Sequence, residues 1–370
     1  MTRILLVSPL PPPDGGISTW TRILLDRGMP DGIELEVINT RVTRSHFSSP
    51  ARPTPTEILR SWKILTSVRS AARSGRFDVM HLNHGSLSSN GMFRDYLVAR
   101  IAHRAGLPYV VQLHGNLDLS WNSGLIGKKR LSAYKGMFQR SSMVLSLNTQ
   151  TRDAVLTLEP EVGDRCQMIP NFIVSEEMPR WKSDPGAQNR PLQILFVGSM
   201  IETKGIATIL EVIRRIKGVE LTLVGPSPGE RERRYLENFQ APDLSNRVTI
   251  SGSLPNKDVL KIMSESDLYL FPSHTEGFPI SVLEAMSVGL PVVASTVGAI
   301  PDMIDVPRGG VLCEAGDTEG FVAAIEKLRD SPEERREMGQ HNRDKALREY
   351  DYSSVSRRLA DLYQSIAANR

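Results

Sequence analysis

Two doubly wound α/β domains in tandem are predicted by this sequence, on three observations. Apolar runs of strand length recur along the chain and alternate with stretches of helical periodicity. The runs form two sets, divided by a polar segment rich in turn formers. The length of 370 residues exceeds one ordinary domain, and it suits two of roughly 150 to 200 residues each.

In the first half the strand-like runs are Ile4–Ser8, Leu35–Asn39, Val79–Leu82, Tyr109–His114 and Met143–Leu147. In the second half they are Gln193–Val197, Glu220–Val224, Val248–Ile250, Leu268–Phe271 and Pro291–Ser295. Alternation with helices points to parallel sheets covered on both faces. The polar segment is Glu176–Arg190, so the expected domains are 1–175 and 191–350 with the linker at 176–190. Beyond Gly310, helical patterns run over Thr318–Asp330, Pro332–Tyr350 and Ser353–Ile366.

A composition of 40% hydrophobic and 24% charged residues is that of a soluble globular protein. No apolar run approaches the ~18 residues of a membrane-spanning helix, and Met1–Ser8 enters a strand rather than a signal peptide. A cytoplasmic protein is the expectation. Cys166 and Cys313 lie in different halves, form no disulfide framework or metal cluster, and read as small buried hydrophobes. The net charge of +3 hides an asymmetry: residues 1–175 carry 21 Lys/Arg against 13 Asp/Glu, and the remainder 24 against 29. Positive charge concentrates in two acid-free stretches, Ile58–Phe77 (Arg60, Lys63, Arg69, Arg73, Arg76) and Leu119–Arg152 (Lys128, Lys129, Arg130, Lys135, Arg140). The first also spaces Ile58, Leu59, Trp62, Leu65 and Val68 at roughly helical intervals. Such a pattern fits either a solvated basic face or a helix lying on an anionic membrane surface.

The most specific stretch is Glu276-Gly-Phe-Pro-Ile-Ser-Val-Leu-Glu284-Ala-Met-Ser-Val-Gly-Leu-Pro291, between two expected strands. Pro279 suits a first helical position, having no N–H to leave unpaired. Gly277 allows close backbone approach, and the N–H groups of Gly277, Phe278 and Ile280 would face an anion with the positive end of the helix dipole. Helix-start carboxylates are often idle. Glu276 and Glu284, however, border an anion-binding helix end at the carboxyl end of a strand, where α/β sheets bind ligands. There a sugar and a ribose would supply hydroxyls for them.

Further strand ends carry related features. Gly15-Gly16 follows the first strand, but it matches neither the dinucleotide fingerprint nor a Walker A loop. Val197-Gly198-Ser199 leads to Lys204-Gly205 before a helix, where a lysine is unfavourable to the dipole yet could neutralise a diphosphate. His114 ends the fourth strand, as a structural histidine or a donor to substrate; Asn83-His84-Gly85 and Asn171 occupy similar positions. No Asp-x-Asp occurs, so no metal ligand is assigned.

Taken in order, Gly15-Gly16, His114-Gly115, Ile169-Pro170-Asn171, Val197-Gly198, Lys204-Gly205, Phe271-Pro272-Ser273, Glu276 to Glu284-Ala285-Met286 and Gly289 to Val293 resemble a retaining glycosyltransferase of family 4. The resemblance spans essentially the whole chain. It implies the GT-B fold, two Rossmann-like domains facing each other across a cleft, with Ser353–Arg370 returning to the first. It also implies a UDP- or GDP-sugar donor held by the second domain, and a saccharide or lipid-linked saccharide acceptor held by the first. The reaction would be metal-independent and without a cofactor.

By that resemblance Glu276, His114 and Lys204 act at the reacting centre. Gly16, Gly198, Ser199, Lys204, Gly277, Phe278, Pro279, Ile280 and Glu284 bind the donor, and Gly15, Asn83 and His84 border the acceptor. Ser199 stands where many relatives have arginine, and Pro279 where a glycine is common. A sugar-nucleotide epimerase or hydrolase, or a catalytically silent binding subunit, would share the architecture; the silent subunit would be expected to lack Glu276, Glu284 or Lys204.

Overall fold

The computed structural model describes residues 1–12, 15–30, 32–41, 55–85, 89–117, 119, 124–182, 190–226, 237–239 and 241–369. Within it the chain divides into two compact units, Met1–Asn171 with Ser353–Arg370, and Phe172–Tyr352. Among the described residues each unit holds one parallel six-stranded sheet.

In the first unit the strands are β1 (Thr2–Ser8), β2 (Ile33–Asn39), β3 (Val79–His84), β4 (Tyr109–Leu113), β5 (Met143–Ser146) and β6 (Cys166–Met168), in the order β2-β1-β3-β4-β5-β6. All six residues of β3 and all five of β4 are buried, as parallel strands covered on both faces must be. Helix Ser89–Arg104 contributes Val98, Ala99 and Ala102 to the core, and Gly124–Phe138 contributes Met137 and Phe138. The C-terminal helix Tyr352–Ala368 buries Val355, Leu359, Leu362 and Tyr363. Arg358 fastens it by donating to the Met168 carbonyl at 2.7 Å.

The second unit has β7 (Leu192–Val197), β8 (Val219–Val224), β9 (Val248–Gly252), β10 (Leu268–Phe271), β11 (Val292–Ser295) and β12 (Gly310–Cys313), in the order β12-β11-β10-β7-β8-β9. Phe196, Phe271 and Tyr269 form a ring stack with successive centroids 6.0 Å apart. Helix Pro332–Glu349 lies on helix Ile280–Val288, and its buried Asn342 donates to the carbonyls of Leu290 and Gly309 at 2.8 and 2.6 Å.

Two strands lie outside the sequence reading, β6 and β12, and each is an edge strand of three or four residues. Pairing on one side only needs little apolar length, so such strands leave a faint pattern. The break between units also precedes the expected linker. Ile173 pairs with Asp351, Ser175–Glu177 forms a 3-10 turn, and Trp181 donates its backbone N–H to Val288 and its indole N–H to Ser266. These contacts assign 172–182 to the second unit. Most of the rest of that segment, 183–189, lies outside the described residues, as do Pro13 and Asp14 beside the diglycine.

Helix Pro55–Arg73 seats Ile64, Val68, Ala71 and Ala72 on the core. It leaves Ile58, Leu59 and Trp62 exposed at 59, 54 and 61%, so the apolar spacing of that stretch comprises two faces rather than one. Both cysteines are free and buried. Among the described residues no helix is long and apolar enough to cross a membrane.

Replacing Asn342 by alanine removes a donor from the buried Leu290 carbonyl and leaves the Gly309 carbonyl with the longer bond from Val292 N–H at 3.3 Å. Urea unfolding of Asn342→Ala is expected to show a loss of about 2 kcal/mol, and a change below about 0.5 kcal/mol would contradict this role.

Candidate functional site

In a doubly wound sheet the loops leaving two neighbouring strands separate where the winding reverses, which opens a crevice at the carboxyl ends. In the second unit β8 lies on one side of β7 and β10 on the other, so the reversal falls between β7 and β10. The loop after β7 carries Gly198, Ser199 and Lys204, and the loop after β10 carries Glu276.

These two loops are sewn together. The Thr203 carbonyl accepts from His274 N–H at 2.9 Å and from Ser273 Oγ at 3.1 Å. Gly205 has φ +76°, and a Cβ there would lie 2.0 Å from the Pro272 carbonyl oxygen. Only glycine permits that approach. A third loop presses on Glu276 from the β11 side, where Gly298 has φ +57° and a Cβ would meet the Glu276 carbonyl at 2.1 Å.

As a result Lys204 Nζ stands 2.5 Å from Glu276 Oε1, with 28% and 8% of the two side chains exposed. The ammonium also sits 5.7 Å above the Phe271 ring. Each charge of this partly buried pair compensates the other.

The helix after Glu276 is Ile280–Val288, and Pro279 is its N-cap rather than its first residue. The Pro279 carbonyl accepts from Val282 and Leu283. Gly277 and Ile280 are half-buried, and Phe278 packs on Tyr350 with ring centroids 6.0 Å apart. Glu284 lies one turn into the helix. Burial pushes its carboxyl up to about 7, opposed by a hydrogen bond from Asn256. Asn256 begins a separate helix, Asn256–Glu265, and no motif in the sequence pairs it with Glu284.

In the first unit the reversal falls between β1 and β3. Gly15 caps, and Gly16 opens, helix Gly16–Arg27; both are exposed. A Cβ on Gly16 would meet no protein atom within 4 Å, so nothing inside the fold requires glycine there. On the other side β3 ends in Asn83 and His84, and the His114 N–H extends the ladder to the His84 carbonyl at 2.9 Å.

Both polar ends of the Asn83 side chain bond within the protein. Its Oδ1 lies 2.8 Å from His114 Nε2 and 3.1 Å from His81 Nε2, and its Nδ2 donates to Ser8 Oγ at 2.9 Å. His84 is similarly engaged, with Nδ1 2.8 Å from Asp95 Oδ2 and Nε2 3.0 Å from Tyr134 OH. Arg94 pairs with the other oxygen of Asp95 at 2.7 Å. A cleft opens beside this relay, lined by His84, Gly85, Gly115, Asn116 and Tyr134. Asn171 is buried.

Sequence reasoning missed Asp95, Tyr134, His81 and Tyr363. His81 carried one usable signal, since it shares a strand face with Asn83 two residues on. Asp95 and Tyr134 reach His84 from separate helices, which no local spacing records. Among the described residues no group of three or more His, Cys, Asp or Glu is arranged to hold a metal ion.

Residues 20–171 match the family model described as glycosyl transferase 4-like domain, and 177–345 match glycosyl transferases group 1. The amylovoran biosynthesis glycosyltransferase AmsK of Erwinia amylovora is 30% identical over 191 residues, which cover 49% of this chain and 46% of that relative. This chain is thus matched to about half of that relative's length. Sucrose-phosphate synthase from Thermosynechococcus elongatus superposes with a TM-score of 0.76 at 18% identity, covering 100% of both chains. HepE of Anabaena, in complex with UDP-glucose, superposes with a TM-score of 0.71 at 16% identity, covering 99% of this chain and 100% of its own. At such identities the likeness is one of fold. One of the two matches thus falls in each unit, and the fold is that of the GT-B glycosyltransferases.

Proposed function

We propose that the protein is a retaining glycosyltransferase moving a hexose-type sugar from a UDP- or GDP-sugar to a hydroxyl of a saccharide or lipid-linked saccharide, in cell-surface polysaccharide or glycolipid biosynthesis. The observation that carries this reading is the Lys204–Glu276 pair in the crevice between β7 and β10. A lysine and a glutamate that neutralise each other stand ready for a ligand with one anionic and one hydroxylic part. A donor diphosphate draws the Lys204 ammonium to itself, and Glu276 then accepts from hydroxyls of the transferred sugar. Lys204 stabilises the leaving diphosphate as its charge grows.

Gly198, Ser199 and the Gly277–Ile280 backbone surround the diphosphate, with one cation fewer than an arginine at position 199 would give. Glu284 accepts from the ribose. In the first unit Gly16 brings its N–H near the diphosphate or the acceptor, His114 meets a sugar hydroxyl, and Gly15 and His84 border the acceptor. Retention is attributed to front-face attack, with the leaving diphosphate taking the acceptor proton. The UDP-glucose complex of the structural neighbour HepE supports a nucleotide-sugar donor, and the presence of Glu276, Glu284 and Lys204 argues against a silent subunit.

Helix Pro55–Arg73 is proposed to rest on the inner face of the cell membrane. Exposed Ile58, Leu59 and Trp62 form an apolar patch, and Lys63, Arg69 and Arg73 are exposed on the same helix. Apolar insertion and cationic attraction together define an interfacial helix for an anionic bilayer.

Lys204→Ala and Glu276→Gln are each expected to lower kcat/KM with a nucleotide-sugar donor at least about 100-fold while the circular dichroism spectrum stays that of the parent. Near-parental turnover in either variant would overturn the assigned roles.

Glu284 accepts most strongly from ribose as a carboxylate, and burial pushes its pKa up to about 7. Affinity for UDP should therefore rise as pH increases through about 7 and level off above it. Glu284→Gln should bind UDP weakly at every pH, and a parental profile that is flat by calorimetry would contradict the role.

Replacing Ile58, Leu59 and Trp62 together by serine should abolish co-sedimentation with phosphatidylglycerol vesicles while leaving transfer to a soluble saccharide acceptor unchanged. Equal sedimentation of parent and variant would remove this helix as the membrane contact.

A further inference from the structure

A chain of side chains in the first unit, buried except at half-buried His114, runs from the start of helix Gly16–Arg27 to the C-terminal helix, and its hydrogen atoms can be assigned from one fixed point. That point is the Ile17 carbonyl, which only accepts. Thr21 Oγ1 lies 2.8 Å from it and must donate to it. Ser8 Oγ is 2.5 Å from Thr21 Oγ1, and since the Thr21 proton is already committed, Ser8 donates in this contact.

Ser8 Oγ is then an acceptor towards Asn83, so the NH2 group of Asn83 points at Ser8 and its Oδ1 points at the two histidines. A flipped Asn83 would leave the contacts among Ser8, Thr21 and Ile17 one proton short. Because Oδ1 only accepts, both His81 Nε2, at 3.1 Å, and His114 Nε2, at 2.8 Å, carry hydrogen. Burial keeps His81 and His114 neutral, lowering their pKa values to about 4 and about 3. A neutral ring with hydrogen on Nε2 has none on Nδ1. His81 Nδ1 accordingly accepts from Tyr363 OH at 2.5 Å. Trp20 packs on both imidazoles, with centroids 5.8 and 5.5 Å away, which holds the rings from the side.

We propose that Asn83 is a positioning residue that locks His114 as the Nε2–H tautomer, so that His114 offers a bare Nδ1 lone pair and accepts a hydrogen bond from a substrate hydroxyl rather than donating one. This rests on the reading that His114 meets a hydroxyl-bearing ligand. It replaces the acceptor-binding role expected for Asn83. It also ties the imidazole to the helix that Gly16 opens, since the proton order begins at Ile17, and to the C-terminal helix through Tyr363.

Full-length protein labelled with nitrogen-15 in histidine gives the test, because the two-bond nitrogen–proton correlations of an imidazole separate its tautomers. Near neutral pH His81 and His114 should both show protonated Nε2 and unprotonated Nδ1, and adding UDP-glucose or a saccharide acceptor should move the Nδ1 resonance of His114 and not that of His81. A hydrogen on His114 Nδ1, or an imidazolium, would overturn the proposal. Asn83→Ala should release His114 into a tautomer mixture and lower kcat roughly tenfold, the worth of one or two hydrogen bonds. If that variant does not fold, Ser8→Ala, which frees the amide to flip, should produce the mixture, whereas Tyr363→Phe should alter His81 alone. An unchanged His114 pattern in Asn83→Ala, or in its stand-in Ser8→Ala, would refute the positioning role. The spectra are read without turnover, so an inactive parent with the expected tautomers would defeat the glycosyltransferase reading and leave the proton order intact.

Discussion

The ion pair between Lys204 and Glu276 depends on backbone contacts that no side chain could replace. A charge that is largely withdrawn from water needs a partner within a few ångströms, and the partners here belong to loops 72 residues apart. Parallel pairing of β7 with β10 brings the two loops to the same edge of the sheet. Gly205 against Pro272 and Gly298 against Glu276 then remove the remaining separation. Loop register, helix start and side-chain placement in the second unit all follow from that arrangement.

The first unit meets the same topological crevice with different electrostatics. Where the second unit places opposite charges, the first places neutral groups whose protons are ordered by a backbone carbonyl. The Arg94–Asp95–His84 cluster is the nearby exception, and there burial of the Asp95 carboxylate is offset by the Arg94 guanidinium and the His84 imidazole. A charged pair can exchange partners when an anion arrives. An ordered neutral network presents a fixed pattern of donors and acceptors instead.

Much of the framework was legible in the sequence, since ten of the twelve strands among the described residues are apolar runs flanked by turns. The exceptions, β6 and β12, are short edges with only one neighbour each. The strand-end placement of Glu276 and Lys204 and the helix-start placement of Gly16 were legible because strand ends, helix starts and glycines leave local marks. The partners of His84 and His81 were not, because Asp95, Tyr134 and Tyr363 arrive from elements whose spacing is set only by packing. The amphipathic reading of Ile58, Leu59 and Trp62 was incomplete for a related reason: helical spacing says that residues share a face, while burial decides which face meets the core.

The buried imidazoles and Glu284 also set opposite responses to acid in the two units. His81, held at about 4 against an ordinary 6.5, and His114, held at about 3, favour the folded first unit above pH 6.5 and withdraw that support as pH falls towards those values. Glu284, raised to about 7 from 4.5, stabilises the second unit most below pH 4.5 and loses that contribution as pH rises through 7. A fall in pH thus acts in opposite directions at these two sites, withdrawing support at the imidazoles and adding it at Glu284.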